Sequence, residues 1–255
     1  MKEVIVDDTT AKKYKLRSLV AFVIFFLLLF GGYKTWRWLY TSPRDNGIRG
    51  GIQQPLRNGL NQNEKIFQSI FDQNKLVKEY DRKDAVKKVR VNGDIGLDTA
   101  FDAANWKLQV IKSNGDTLHI SLDEIKKMPK TEEVFNFKCI EGWSQITWWG
   151  GVRFSDFAKK YGLDTETQMR YVGMVTPDKA YYVGIDMPSI LQPQTILCYE
   201  MNGAPLPMNQ GYPLRLIIPV KYGVKHLKRI GTISFSNEKP ADYWAEQGYD
   251  YYTGH

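Results

Sequence analysis

Residues 134–153 read VFNFKCIEGWSQITWWGGVR, and this stretch decides the fold. Its alternating apolar residues Val134, Phe135 and Phe137 favour an extended strand that leads into Cys139. A loop rich in glycine and tryptophan follows, and glycine lets the backbone approach a bulky group closely. A cysteine at the C-terminal end of such a strand is either a soft metal ligand or a small buried hydrophobe. Both interpretations stay open, because no second cysteine or histidine lies close enough for a zinc site.

Two segments, FKCIEGWS at 137–144 and WWGGVRF at 148–154, resemble the molybdenum-ligand region of the sulfite oxidase superfamily. Further matching stretches follow in family order, at 171–176, 202–206, 211–228 and 244–249. The resemblance covers roughly residues 86–255 and is closest to the bacterial branch that contains the protein-methionine-sulfoxide reductase catalytic subunit. It implies that one thiolate, here Cys139, binds molybdenum carried by a single pyranopterin.

The resemblance also implies which other residues contact the cofactor. They occupy positions that match cofactor contacts of the family: Asn92, Thr176, Gln210, Arg215, His226, Leu227 and Lys228. Arg215 and Lys228 are expected to hold the cofactor phosphate, since a guanidinium and an ammonium both bind phosphate strongly. The backbone of His226 and Leu227 is expected to lie against the cofactor. Gln210 departs from the pattern, because the family commonly has asparagine there and this chain has Asn209 one place earlier.

Glu141 lies two residues after Cys139 and is expected near the open coordination position of the metal. A partly buried carboxyl with a raised pKa could move a proton there, and a structural cap of the loop is the alternative. Animal and plant sulfite oxidases have an arginine-bearing loop after the cysteine, whereas this chain has Ile-Glu-Gly-Trp-Ser. A carboxylate would repel sulfite. The expected reaction is therefore reduction of a neutral S-oxide or N-oxide by oxygen-atom transfer.

Other functions stay open at this stage. A thiol enzyme could use Cys139 with His226, and a non-catalytic membrane-tethered binding module could retain the fold. Cys198 lies in the apolar run TILCY and is expected to be an inert core cysteine, with a disulfide to Cys139 as the minor alternative. The remaining histidines form no constellation with serine and aspartate, so hydrolysis has no support.

Charge is unevenly distributed along the 255 residues, whose formal net charge is +7. Residues 1–90 hold 18 Lys+Arg against 9 Asp+Glu, and residues 91–255 hold 17 against 19. A basic excess beside an apolar segment fits contact with anionic lipid. It argues against nucleic-acid binding, for which the positive face would lie on the folded body.

An uncharged apolar run at 18–33 predicts one transmembrane helix over about residues 18–40. Lys34 and Arg37 would snorkel, and the aromatic residues around Trp36 would form an interfacial belt. No small-residue cleavage site follows, so an uncleaved single-pass anchor is expected. Inner-membrane location with the catalytic domain on the outer, periplasmic side is the preferred topology, although no twin-arginine pair precedes the run. Electrons are expected from a membrane cytochrome or a quinol-linked partner.

The predicted domain organisation has three parts. Residues 1–41 are the tail and anchor, residues 42–85 a linker and amphipathic helix, and residues 86–255 the molybdopterin-binding domain. The helix is predicted over residues 64–80, with Asn61 and Glu64 in capping-box spacing.

Short strands interleaved with short helices predict an α+β fold for the body, with a mixed sheet of the sulfite-oxidase type. The predicted strands are 106–112, 117–120, 170–176, 195–201, 214–219 and 229–235. Asn114-Gly115 predicts a hairpin, Ser121 with Glu124 a second capping box, and residues 155–161 a short helix.

Overall fold

The computed structural model describes residues 7–45, 51–98 and 100–255. Its contacts divide the described chain into two compact units. The first contains residues 7–45 and 51–59, and the second contains the described residues from 60 to 255.

The first unit is dominated by helix α1 (Asp8–Thr41), none of whose residues is buried. Its 34 residues give a length of ~51 Å at ~1.5 Å per residue, more than the ~30 Å of a hydrocarbon core. By length and composition the helix is able to cross a membrane. It begins before the predicted residue 18, because the stretch ahead of the apolar run is rich in good helix formers such as lysine and alanine.

Helix α2 (Gln54–Ile70) differs from the helix predicted over residues 64–80. It starts earlier because Pro55 occupies the first turn, where a missing backbone N–H costs nothing. The predicted capping box of Asn61 and Glu64 is wrong, since both residues lie inside the helix. After Ile70 the chain turns at Asp72, whose backbone oxygen accepts from Lys75 N at 3.1 Å.

After the C-terminal part of α2, the second unit contains ten strands and four further helices among its described residues. In chain order they are β1 (Leu108–Ile111), β2 (Thr117–Ile120), α3 (Leu122–Lys126), β3 (Thr131–Lys138), β4 (Ser144–Arg153), α4 (Phe154–Lys160), β5 (Tyr171–Val175), β6 (Tyr182–Asp186), α5 (Met187–Ile190), β7 (Ile196–Met201), β8 (Ala204–Pro205), β9 (Arg215–Ile217), β10 (Thr232–Ser236) and α6 (Tyr243–Glu246). Single 3₁₀ turns lie at Arg82–Asp84, Glu166–Gln168, Met208–Gln210 and Gly223–Lys225.

The strands form two five-stranded sheets. One has the order β2-β1-β10-β5-β6 and is mixed, because β1 and β10 pair in parallel while the other neighbours are antiparallel. The other is antiparallel, with the order β3-β4-β7-β8 and with β9 paired to β7. The predicted α+β class with a mixed sheet is confirmed, and the strands are divided between two sheets.

Local predictions at the start of the body are confirmed. β1 and β2 form the antiparallel hairpin around Asn114-Gly115. The capping box of Ser121 and Glu124 opens α3, with both reciprocal hydrogen bonds formed. Helix α4 follows β4 at the predicted place.

Strand β4 begins at Ser144, soon after β3 ends, although the sequence indicated a longer loop there. It pairs with β3 from Lys138↔Ser144 to Thr131↔Gly151. The Gly150-Gly151 step carries a register shift against β7. A Cβ at Gly151 would lie 2.2 Å from the Leu197 backbone oxygen, so only glycine permits this close approach.

The core of the second unit consists of two apolar clusters. The larger one includes Val152, Leu197 and Leu216 of the antiparallel sheet together with side chains of the mixed sheet. The smaller one surrounds Phe135 and Trp149 and supports the loop that follows β3. The position of the cysteine loop is therefore set by packed strands on its inner side.

Candidate active site

Cys139 is the first residue of a five-residue hairpin loop between β3 and β4, covering residues 139–143. Its backbone N–H donates to the Trp143 oxygen at 2.9 Å, and Gly142 N donates to the Cys139 oxygen at 3.0 Å. Gly142 has φ +89°, a left-handed conformation that glycine adopts without strain. The tight loop holds the Cys139 side chain at the wall of an open cleft, where it is 7% exposed.

Asn92 lines the cleft next to the hairpin loop, and its side chain reaches the sulfur. Its Nδ2 donates to Cys139 Sγ at 3.8 Å. Its backbone oxygen accepts from Lys228 Nζ at 2.8 Å, as does that of Gly93 at 2.7 Å. The segment 92–93 thus connects the Cys139 thiol to the Lys228 ammonium.

Glu141 is exposed at the rim of this cleft. Hydrogen bonds from Asn92 and from Trp143 lower the pKa of Glu141, and the Trp143 Nε1 donates to Oε2 at 3.1 Å. The raised pKa expected for a partly buried carboxyl is therefore wrong, because the side chain is solvated and its ionised form accepts both bonds. Glu141 is a carboxylate at neutral pH.

Arg215, on β9, is the most deeply buried cation of the cleft wall, with 2% of its surface exposed. One guanidinium nitrogen donates to the backbone and side-chain oxygens of Gln210, at 3.1 and 2.8 Å. The guanidinium stacks on Trp149 with its carbon 4.6 Å from the ring centre. Its Nε has no hydrogen-bond partner, and no described carboxylate pairs with the group. Burial lowers the pKa of Arg215 to about 10.

Gln210 and Lys228 complete the polar wall of the cleft. Gln210 is buried and also donates to the Arg90 backbone oxygen at 3.4 Å. Burial, with a further contribution from the charge of Arg215, lowers the pKa of Lys228 to about 8. Two cations that line one cleft, one of them the buried Arg215 without an ion-pair partner among the described residues, suit an anion such as a phosphate, although Asp94 offsets part of the charge at Lys228.

His226 lies in this wall, and backbone groups bind both of its ring nitrogens. Ile218 N donates to Nδ1 at 3.4 Å, and Nε2 donates to the Lys221 backbone oxygen at 3.1 Å. Burial, followed by the charge of Arg215, lowers the pKa of His226 to about 3, so the ring is neutral. It also packs on Phe137 at 4.7 Å between ring centres. This geometry contradicts a thiol enzyme that would use His226 as a base.

Two of the predicted cofactor contacts lie outside the lining of the cleft. Leu227 is fully buried, and its backbone oxygen accepts from Leu216 N at 2.9 Å. Thr176 is buried as well, and its hydroxyl bonds to Asp178 Oδ1 at 2.5 Å and to the Tyr181 backbone. Thr176 therefore supports the turn that carries Tyr181, and only Tyr181 reaches the cleft.

Sequence reasoning missed several aromatic and basic side chains of the cleft. They are Arg90, Trp143, Trp149, Tyr181, Trp244 and Tyr249. Arg90 stacks on Trp143 with its guanidinium carbon 4.7 Å from the ring centre. Tyr181 donates to the Val224 backbone oxygen at 2.6 Å, and burial raises its pKa. The sequence did offer one signal for Trp143, because it lies two residues after Glu141 in the same loop.

Cys198 lies on β7 inside the smaller apolar cluster and is fully buried. Both cysteines are free, so no disulfide joins Cys139 to Cys198. Burial raises the pKa of the Cys198 thiol to about 12, which makes it unreactive. The prediction of an inert core cysteine agrees with this environment.

The cleft has the groups that an anionic metal–pterin cofactor requires. Its lining includes the Cys139 thiol, the Lys228 ammonium and Arg215, whose Nε has no hydrogen-bond partner. Aromatic rings in the same lining offer flat surfaces for a heterocycle. Among the described residues no group of three or more His, Cys, Asp or Glu side chains is placed to hold a metal alone. A metal here needs a cofactor that supplies most of its ligands.

Comparison with known proteins agrees with this arrangement. Residues 95–244 match the profile of the family described as "Oxidoreductase molybdopterin binding domain". A protein of Azospira oryzae with the provisional name protein-methionine-sulfoxide reductase subunit YedZ1 is 35% identical over 187 residues, 72% of this chain and 70% of that protein.

Two further relatives are more distant. The protein-methionine-sulfoxide reductase catalytic subunit MsrP of Campylobacter jejuni is 29% identical over 176 residues, 62% of this chain and 59% of that protein. The mitochondrial sulfite oxidase of Rattus norvegicus is 27% identical over 176 residues, 58% of this chain and 32% of that protein. The family match covers more than half of this chain and its cofactor is molybdenum carried by molybdopterin. The chain therefore belongs to the sulfite oxidase superfamily, on the branch of the bacterial protein-methionine-sulfoxide reductase catalytic subunits, and is a molybdopterin-dependent oxidoreductase.

Proposed function

We propose that this enzyme reduces a neutral S-oxide or N-oxide. The observation that carries the proposal is the ionised Glu141 at the mouth of the cleft, within the same hydrogen-bonded group as Cys139. Arg90 also lines the cleft, and its charge contributes to lowering the pKa of Glu141. The two charges offset each other, so the mouth lacks the surplus positive charge that an anionic substrate needs.

The named relatives support an S-oxide over sulfite. YedZ1 of Azospira oryzae and MsrP of Campylobacter jejuni both carry names of protein-methionine-sulfoxide reductases. The relative named as a sulfite oxidase is matched over only 32% of its length. A methionine-sulfoxide side chain is neutral and has an apolar methyl group, which suits a mouth lined by Trp143 and Trp244.

The chain's own residues have separate roles in this proposal. When bound, the molybdenum cofactor supplies two-electron oxygen-atom transfer. Cys139 is the proposed metal ligand, with Asn92 orienting its sulfur. Arg215 and Lys228 hold the cofactor phosphate, and Gln210 positions the guanidinium of Arg215. Reduction of a sulfoxide consumes protons, and in this proposal Glu141 carries them from solvent to the reacting group, a role that its exposure in the cleft supports.

The N-terminal helix supports a membrane-anchored form of the enzyme, although a signal sequence would meet the same criteria of length and composition. Four aromatic side chains lie exposed in its last turns, at Tyr33, Trp36, Trp38 and Tyr40, as in an interfacial belt. We propose a single-pass anchor with the catalytic body on the outer side. Electrons then come from a separate membrane cytochrome or quinol-linked partner.

Turnover of the full chain, made in cells that assemble the pterin, tests the substrate class. Reduction of methionine sulfoxide and of trimethylamine N-oxide is assayed with a reduced viologen dye as the electron donor. Oxidation of sulfite is assayed with ferricyanide as the electron acceptor. We expect reduction of the neutral oxides and little sulfite oxidation. Glu141→Gln should raise sulfite oxidation relative to oxide reduction, and Glu238→Gln, at an exposed site elsewhere, should change neither. Efficient sulfite oxidation by the unmodified enzyme would refute the proposal.

A further inference from the structure

The most exposed large apolar side chains in described residues 60–255 lie in one short stretch. Ile70 is 70% exposed, Ile66 58% and Leu76 54%, whereas the next, Met208, is 46% exposed. Single exposed apolar residues are ordinary on a protein surface, but a group of them marks an interaction site. This stretch, residues 65–78, is therefore a candidate interaction surface, with Ile66 and Ile70 on α2 and Leu76 in the segment that follows it.

The contacts of α2 with the body show which of its faces is free. Glu64 is buried and pairs with Lys239, and Phe67 stacks on Tyr252 with 6.0 Å between ring centres. Ile66 and Ile70 are four residues apart and share one side of the helix. At 100° per residue that side is turned away from Glu64. The body thus holds the helix in place while two large apolar side chains point to solvent.

Exposed lysines flank these apolar residues, at Lys65, Lys75 and Lys78. Residues 42–90 contain 11 Lys+Arg against 6 Asp+Glu, and residues 91–255 contain 17 against 19. The positive charge is therefore concentrated in the part of the chain that includes this stretch. Apolar side chains bordered by lysines are typical of helices that lie in the interface of an anionic bilayer.

We propose that residues 65–78 dock on the anionic headgroups of the membrane, with Ile66, Ile70 and Leu76 entering the boundary with the acyl chains. The proposal rests on anchoring by α1 as proposed above. Only residues 42–53 separate the end of α1 from the start of α2. An anchored chain therefore keeps this stretch at a high effective concentration beside the same bilayer, and a small apolar group is enough for docking.

Chemical labelling of lysine amines in the full chain tests this docking without a mutation. The enzyme is compared in detergent, in phosphatidylcholine vesicles and in vesicles that also contain phosphatidylglycerol. In the anionic vesicles we expect labelling of Lys65, Lys75 and Lys78 to slow about fivefold or more, because their amines lie among the headgroups. The exposed Lys159 and Lys160 at the end of α4 are the internal control and should label equally in all three.

A variant pair separates apolar insertion from charge attraction. Ile66→Ser combined with Ile70→Ser should remove most of the protection in anionic vesicles, whereas Ile111→Ser, at another exposed apolar site, should retain it.

Flotation of the vesicles reports anchoring independently. A chain that floats but labels at Lys75 and Lys78 as fast as in detergent overturns the docking proposal alone, and a chain that does not float overturns anchoring as well. If these lysines were protected from labelling in detergent, and more so at higher protein concentration, a second copy of the chain would cover this face. That result would overturn the lipid assignment.

Discussion

At the scale of single residues, the cleft is characterised by a buried guanidinium that has no described carboxylate partner. A charge of this kind is costly to bury alone, so Arg215 is expected to gain an anion when the cofactor binds. The neutral His226 beneath it adds no charge of its own. An anion could therefore bind to Arg215 without first breaking an ion pair.

The two cysteines provide a matched pair for testing the role of the cleft thiol. Cys139→Ala should abolish molybdenum retention and activity while the protein stays folded, because the side chain lies at a cleft wall. Cys198→Ala should retain the metal but lower the free energy of unfolding by about 1 kcal/mol, because it opens a small cavity in the core. Metal analysis and denaturant unfolding of both variants are the measurements. Metal retention by Cys139→Ala would contradict the ligand assignment.

The buried His226 should give the protein a specific acid sensitivity. Its pKa is about 3 in the folded state against 6.5 for an exposed imidazole. Between these two pH values the imidazole is therefore protonated in the unfolded chain and neutral in the folded one. The stability that this neutral ring contributes is present above pH 6.5. It is lost as the pH falls toward 3, by up to about 1.4 kcal/mol per pH unit.

His226→Gln removes the titrating ring while keeping a side chain that hydrogen-bonds. We expect the variant to be less stable at pH 7, yet to lose stability less steeply than the unmodified protein between pH 6 and pH 4. Unfolding free energies across that range are the measurement. Equal slopes for the two proteins would show that His226 titrates normally.

Residue identities in the cleft were partly predictable from the sequence. The ordered motifs indicated Cys139, Asn92, Arg215 and Lys228, and the structure brings all four to one cleft. The protonation state of Glu141 was not predictable, because it depends on an amide from Asn92, far away in the sequence. Thr176 lies outside the lining of the cleft and supports the turn that carries Tyr181, so its contact with the cofactor stays a prediction.

At the scale of elements, β3 and β4 form the hairpin that carries the cysteine, and β7 joins it to β9, which carries Arg215. The hairpin of β1 and β2 was predictable from the Asn-Gly turn, which is a local signal. The earlier start of α2 had a local signal as well, Pro55 in its first turn. Strand β4 was not predictable, because its pairing with β7 depends on residues distant in the sequence. Tertiary contacts of this kind override the local secondary-structure propensity of the sequence.

Gly151→Ala should disturb the connection between the cysteine hairpin and β7. A Cβ there meets the Leu197 oxygen at 2.2 Å and the Cys198 Cα at 2.7 Å, so we expect a loss of about 3 kcal/mol in unfolding free energy. Gly142→Ala is the control, with nothing within 4 Å of the added carbon and only its left-handed φ to strain. That strain costs about 1 kcal/mol. A larger loss at Gly142 than at Gly151, in urea unfolding, would contradict the close approach of β4 to β7.

At the scale of the whole molecule, an apolar helix and a basic stretch precede a catalytic body of slightly negative charge. The family, the α+β class and the cofactor were all predictable, because many short motifs occur in the order of the family. Anchors and signal sequences share the length and composition of α1, so the prediction of an anchor rests on the lack of a small-residue cleavage site after the apolar run.

Extraction of membranes with alkaline carbonate tests the proposed anchor. We expect the full chain of 29.5 kDa to stay in the membrane pellet, because an apolar helix of 34 residues holds it there after electrostatic contacts are lost. Intact-mass analysis shows whether the N-terminus has been removed. A shorter, soluble species that lacks α1 would identify the helix as a signal sequence.

The most direct test of the central claim is the metal and pterin content of the purified full chain, made in cells that assemble the cofactor. A cleft that joins the Cys139 thiolate to the Arg215 and Lys228 cations should retain molybdenum and molybdopterin in equal, stoichiometric amounts. Protein that is folded but contains neither molybdenum nor pterin would contradict the account.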